Sequence, residues 1–212
     1  MHYHHKSARM HSMPDSATSI RERRKAETAR GLKDAARRLT IERGLSGFTI
    51  EELCEEVGVS RRTFFNYFAS KENAIMGVPV DADESGAAER FAAAGARGFG
   101  HLIDDLLELH LDRWAFGGIT AEEVHQLFTA FEREPRLLHH MLELASRGER
   151  DDIELVERRE GLPAGDLRAA AAVQLVGAVL RASAEEFFRT DDGDDFPTLM
   201  RRRLDAVRDL FA

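Results

Sequence analysis

The stretch from Phe48 to Ile75, FTIEELCEEVGVSRRTFFNYFASKENAI, decides how the rest of the chain is read. Thr49 followed three residues later by Glu52 has the form of a capping box, which opens a helix by satisfying its first backbone donors. Ile50, Leu53 and Val57 then recur at helical spacing, so this short helix has one apolar face. Gly58 breaks it, because the turn needs a backbone conformation that costs glycine little. Ser60 stands where a second helix needs its N-cap. That helix is expected to present Arg61, Arg62, Thr63 and Asn66 on one side, with Phe64, Phe65 and Phe68 elsewhere. Ser70 caps a third helix from Lys71. A helix, a glycine turn and a helix with arginines in its first turn make a helix-turn-helix, the shape that enters a DNA major groove.

The run GVSRRTFFNYFASKE resembles the recognition helix and following turn of the TetR family of bacterial transcriptional regulators. Gly-Val-Ser, then Thr-Phe-Phe-x-Tyr-Phe, then Ser-Lys-Glu carry the resemblance. It extends upstream through FTIEELCEEVGVS and, more loosely, through a helix from about Glu27 to Arg43. It covers the first third of the chain, and the remainder matches no motif. The resemblance implies that Tyr67 and Lys71 contact phosphate, and that Thr49 does so through its hydroxyl at a helix N-terminus. Phe65 departs from the tyrosine usual in the family, so one phosphate contact is lost with the hydroxyl.

Charge agrees with a DNA-binding front. Residues 1–80 carry 14 Lys and Arg against 10 Asp and Glu, and the remainder carries 16 against 28. A basic front on an acidic body orients a protein on phosphates. A chain of 212 residues is long enough for a small domain joined to a larger one. No apolar run of membrane-spanning length and no signal peptide appear, so the expectation is a cytoplasmic protein with no membrane partner. Cys54 is the single cysteine; it fits a reducing compartment and a buried seat between the motif helices.

Residues 1–19, with four histidines and no periodicity, read as a disordered leader or cloning remnant. The basic run Ile20–Lys25 is either a solvated first turn or an arm along the DNA, which adds Arg24 and Lys25 to the candidates. The expected DNA-binding set is therefore Arg61, Arg62, Thr63, Asn66, Tyr67, Lys71, Thr49, Ser60, Arg24 and Lys25. Within it, Arg61 and Arg62 are best placed to grip guanine edges. The expected domains are a helix-turn-helix unit over 20–78 and a larger helical domain over 79–212 for ligand binding and dimerisation, in an all-α chain. Pro79 and the segment Asp81–Gly86 mark the boundary.

Beyond that boundary every segment reads as helix. A helix from Asp166 to Arg189 is apolar on more than one face, and an amphipathic one from Phe196 to Phe211 is expected to pair with it. Two such helices from each of two chains would make a four-helix interface, a homodimer through residues 166–211, as the resemblance also implies. Trp114, Phe116, Phe128, Phe131, Met141, His125, Gln174 and Arg181 are the aromatic or unexpected polar residues on otherwise apolar helices. Most aromatics there are plain core. Gln174 is the exception, because an amide buried on such a helix needs partners that a ligand can supply.

No Gly-rich phosphate loop, nucleophile arrangement or metal-ligand spacing is present, so neither an enzyme nor a cofactor is expected. The expected function is a homodimeric DNA-binding regulator, a repressor released from an inverted-repeat operator by an apolar small molecule. The rival is a ligand-independent or metal-responsive helix-turn-helix protein whose C-terminal domain only dimerises.

Overall fold

A computed structural model describes residues 16–80, 85–117, 120–189 and 194–210. Ten helices and no strand occur among them: α1 Ser16–Arg43, α2 Ile50–Val57, α3 Arg61–Tyr67, α4 Lys71–Met76, α5 Ala87–Ala93, α6 Phe99–Gly117, α7 Ala121–Arg133, α8 Arg136–Glu160, α9 Leu167–Arg189 and α10 Phe196–Asp209. The all-α expectation holds. Two boundaries differ from the sequence reading. The first helix begins at Ser16 rather than near Glu27, so Ile20–Lys25 is a helical segment of α1 and not an extended arm. No glycine or proline separates Ser16 from Gly31, and nothing in the run stops the helix from growing back. The fourth helix ends at Gly77, which adopts a left-handed conformation, before Pro79 is reached.

The core falls into two clusters. One gathers Leu102, Leu106, Val156, Val173, Val176, Phe196, Met200 and Leu204 from α6, α8, α9 and α10. The apolar face of α10 is consumed inside the chain, against α9 and α6, and is not free for a second copy. Its outer face carries Arg201, Arg202 and Arg208, which pair with Glu108, with Glu186 and Asp194, and with Asp104 and Asp205. The composition and length of α9 would suit a membrane span. Its buried side packs on α6, α8 and α10, as an internal helix does.

The second cluster is that of the helix-turn-helix, and it does not close at residue 78. Leu32, Leu39, Leu53, Phe64, Phe68 and Ile75 share it with Ala130 of α7 and Leu137 of α8, both fully buried, and with the half-buried Leu127 and Phe131. Polar ties reinforce the weld. Glu123 of α7 accepts from Lys33 at 2.8 Å and from Arg37 at 3.3 Å. The buried Arg37 also donates Nε to the carbonyl of Ile75 at 2.8 Å. Glu134 accepts from the Leu45 amide at 2.8 Å, Arg136 donates to Ser46 at 2.9 Å, and His140 Nε2 lies 2.9 Å from Asn73 Oδ1. The three motif helices are thus fastened to α7 and the start of α8, not only to α4.

The Glu123 tie has a pH signature. Burial raises the carboxyl pKa, but hydrogen bonds from Lys33 and Thr120, with the charges of Lys33 and Arg37, outweigh it and hold it below the ordinary value. A carboxylate whose folded pKa is depressed stabilises the fold above its unfolded pKa of about 4.3, and that contribution disappears as pH falls through the folded value. Acid titration below about pH 4 should therefore weaken the weld. In Glu123→Gln that part of the acid sensitivity should be missing. Thermal melts of both proteins between neutral pH and pH 3 check this, and parallel acid profiles would remove Glu123 from the account.

Candidate nucleic-acid interface

Local chemistry positions the recognition helix. Thr49 and Glu52 make the full capping box: the Glu52 amide donates to Thr49 Oγ1 at 3.1 Å and the Thr49 amide donates to Glu52 Oε2 at 2.6 Å. Those bonds, led by the Thr49 backbone, lower the Glu52 pKa. Gly58 ends α2 with φ +74°, a left-handed turn that aims the chain into α3. Ser60 Oγ then accepts from the Thr63 amide at 3.0 Å and lies 2.8 Å from Thr63 Oγ1. Cys54 is buried, as expected; burial, with Glu51 adding and Arg61 opposing, raises its thiol pKa.

On α3, Phe64 and Phe68 plug the core, while Arg61, Arg62, Phe65 and Asn66 are exposed. The expectation that Phe65 lies away from the arginines is corrected. It follows Arg61 by one turn and shares its face, with the Arg61 guanidinium 5.5 Å from the ring centroid. Arg61 is tied back to Glu51 at 2.7 Å in an exposed ion pair of the kind worth about 1 kcal/mol or less. Arg62 and Asn66 have no partner among the described residues, so α3 presents one tethered and one unengaged guanidinium beside an amide.

The remaining candidates divide. Lys71 is not a free phosphate ligand: its ammonium donates to the Leu45 and Phe48 carbonyls at 2.6 Å each, and lies 4.4 Å from the Phe48 ring centroid. Two of its three donors fasten α4 to the loop after α1. Tyr67 is half-buried against the motif core. The hydroxyls of Thr49, Ser60 and Thr63 are already engaged in capping. Arg24 and Lys25 are exposed on α1, two turns and more before its buried stretch begins at Leu32.

The candidate ligand residues are not brought together. Trp114 belongs to the body core, stacked at 3.8 Å on Phe196 and edge-on to Phe187 at 5.8 Å. Phe131 packs instead on the motif core, and Phe128 is 59% exposed beside it. Met141 is half-buried on α8. His125, Gln174 and Arg181 are exposed. Gln174 is corrected outright: its amide lies on the outer face of α9 and donates to Glu149 at 3.0 Å, so no buried cavity surrounds it. Spacing could not distinguish the inner from the outer face of a helix apolar on several sides. The side chain of Phe116 falls outside the described ones.

The buried polar groups of the body are others, which the sequence reading passed over. Asp152 of α8 is buried and pairs with Arg113 of α6 at 2.9 Å, with His110 at 3.7 Å. Burial lowers the His110 pKa, Asp152 opposes that shift, and Arg113 adds to it, so the neutral imidazole is favoured. His110 Nε2 and Ser183 Oγ are buried without a hydrogen-bond partner. His110 lies one turn before Trp114 on α6, and Ser183 one turn before Phe187 on α9. The i, i+3 and i, i+4 relations of His110 to Arg113 and Trp114 were legible, but not that Asp152 faces them from a heavily charged helix. An open cleft of about 580 Å³ lies elsewhere, between α1, α2 and Gln126 of α7, with Arg38 on its edge paired to Glu42 and Glu56. Among the described residues, no group of three His, Cys, Asp or Glu side chains is placed to hold a metal ion.

The family model of bacterial regulatory proteins of the tetR family matches residues 32–73, from the first fully buried leucine of α1 through the first turn of α4. No curated protein matches the chain. The matched residues are those whose caps, glycine turn and phenylalanine plugs set the angle between α2 and α3. Over residues 32–73 the chain is similar to the bacterial regulatory proteins of the tetR family, and with this match on this geometry it is a DNA-binding regulator of transcription.

Proposed function

We propose that the chain is a ligand-responsive repressor. It acts in the cytoplasm as a homodimer and leaves an inverted-repeat operator when an apolar small molecule enters its body. Arg62 and Asn66 read base edges from the major groove, with Arg61 joining them once the DNA field competes for its Glu51 partner. Thr63, Ser60, Thr49, Tyr67, Arg24 and Lys25 lie nearer the backbone track. Lys71 can offer phosphate only its third donor.

The observation that supports the ligand response is two buried polar atoms in the body that make no hydrogen bond, Ser183 Oγ and His110 Nε2, the latter 3.7 Å from the Asp152 carboxylate, each one turn from a ring of the Trp114–Phe187 contact. A buried polar atom without a partner retains its desolvation cost, and a ligand that supplies the missing hydrogen bond recovers it. The body core in which they lie is aromatic and aliphatic, which suits an apolar molecule with one polar group. His110 and Ser183 take the place expected for Gln174, His125 and Arg181, and Trp114 keeps its own. The signal has a route to the DNA through α7 and the start of α8, whose residues complete the motif core. Ligand binding acts only by favouring one setting of that weld over the other.

For the dimer, α9 supplies the face within residues 166–211. Leu167, Ala171, Gln174 and Ala178 recur at helical spacing and are exposed on a single chain. Small side chains let a symmetry mate approach closely, and Gln174 with Glu149 then becomes an interface pair.

A panel of apolar compounds tests the reading by thermal melting and by release of a bound operator duplex. A compound that binds only the folded chain must raise its melting temperature, by about 2.7 kcal/mol of stability at a hundredfold excess over Kd. The same compound should release DNA, and His110→Phe should lose both effects while still binding the duplex. A panel in which nothing raises the melting temperature or releases DNA would leave the body a dimerisation unit alone.

A further inference from the structure

We propose that Phe65 is a base-reading residue, and that it recognises the C5-methyl group of thymine on the major-groove edge. The proposal rests on the reading of α3 as the recognition helix and assigns a further part of its specificity. Phe65 lies one turn beyond Arg61 and three residues beyond Arg62, so it sits on the strip that these two share with Asn66. It is 40% exposed, while its neighbour Phe64 is fully buried and Phe68 nearly so. A phenylalanine in the middle of an otherwise polar, basic face gains free energy when an apolar group covers it.

The ring is held in place. Its edge meets Phe64 with centroids 5.3 Å apart and planes at 85°. The Arg61 guanidinium lies 5.5 Å from its centroid and is itself fixed by Glu51 at 2.7 Å. The packing of its edge on the buried Phe64 limits the ring's freedom before DNA arrives, so seating it in a groove costs little ordering entropy. A phenyl ring has no donor or acceptor. Against phosphate oxygens it would only strip their hydration, and against the polar edges of guanine, cytosine or adenine it would leave their hydrogen-bonding groups unpaired. The apolar group that thymine places on that edge is its methyl. The same ring that removes a phosphate-binding hydroxyl from this position thus supplies a methyl-sized apolar contact between two arginines.

Duplexes enriched from a randomised library by the full chain provide the probe. Each thymine of the enriched half-site is replaced in turn by deoxyuridine, which removes the methyl and leaves every hydrogen-bonding group. Affinities are measured at one salt concentration. One thymine per half-site should respond, with a loss of about fourfold, the value of one buried methyl group. Phe65→Ala should bind the thymine and deoxyuridine duplexes alike, and Phe65→Tyr, which keeps the ring, should retain the preference. The tyrosine variant keeps the test decisive if the alanine variant does not fold. Uniform binding to every deoxyuridine duplex by the unmutated chain would overturn the proposal, as would a thymine preference that survives in a folded Phe65→Ala. Enrichment of no sequence at all would instead sink the recognition-helix reading and this inference with it, so the two failures are told apart.

Discussion

Replacing Arg62 with alanine is expected to weaken binding to the operator by about 1–3 kcal/mol, roughly five- to 150-fold, while weakening a scrambled duplex far less. The expectation rests on what surrounds the guanidinium. Arg62 is exposed in the first turn of α3 with no partner among the described residues, so both of its terminal nitrogens are available for guanine O6 and N7. Arg61, held by Glu51 and lying over Phe65, must give up an ion pair first and should therefore count for less. Arg61→Ala is the matched control, since it removes the same charge from the same turn. Titrations of both variants on both duplexes at one salt concentration decide the matter. A loss for Arg62→Ala that is equal on operator and scrambled DNA would make it a phosphate contact, and α3 would have to read sequence through Asn66, Arg61 and Phe65.

The second large effect lies far from the DNA in sequence. Leu137→Ala, on α8, should destabilise the helix-turn-helix by about 2–5 kcal/mol, the cost of a cavity at a fully buried leucine. Leu137 sits in the motif's own core with Leu32, Phe64 and Ile75, so the cavity opens beneath the DNA-binding unit although the substitution is in the body. Amide exchange should therefore speed up across α2–α4, and operator affinity should fall at temperatures where the unmutated chain is still intact. The control is Leu142→Ala, one turn and a little further along α8 and 58% exposed, which should change stability by less than about 0.5 kcal/mol. If Leu137→Ala perturbed only the body amides and left α2–α4 protected, the two units would be separately folded and the weld through α7 and α8 would be incidental.

Those two residues mark where sequence reading succeeds and where it stops. The helix-turn-helix was legible because its determinants are local. A capping box at Thr49 and Glu52, a left-handed glycine at position 58, N-caps at Ser60 and Ser70 and a burial period of four between Phe64 and Phe68 all act within a turn or two of the chain. Cys54 was placed for the same reason. Even here, local spacing did not report what a side chain does with its polar atoms. Lys71 had the sequence of a phosphate ligand, yet its ammonium is spent on carbonyls more than twenty residues away.

In the body the periodicities announced helices without saying which faces meet. Phe196, Leu199, Met200 and Leu204 made α10 amphipathic, and that pattern fits a dimer face as well as it fits packing against α9 and α6, which is where the face is spent. The apolar, alanine-rich α9 left Gln174 equally able to point inward or outward; contact with Glu149 and exposure put it outside. Conversely, Asp152 lies in a run of charged residues that reads as solvated surface, and only the approach of α6 buries it against Arg113 and His110. Capping, turn geometry and helical period are short-range properties of neighbouring residues, so an all-helical chain with a helix-turn-helix at its front was legible before any tertiary contact. Which helix closes that motif's core, which polar atoms are buried without a hydrogen bond, and which apolar face is already covered depend on contacts between segments far apart in the chain. Burial and pairing depend on what another segment brings alongside, and the local pattern is the same whether that segment arrives or not.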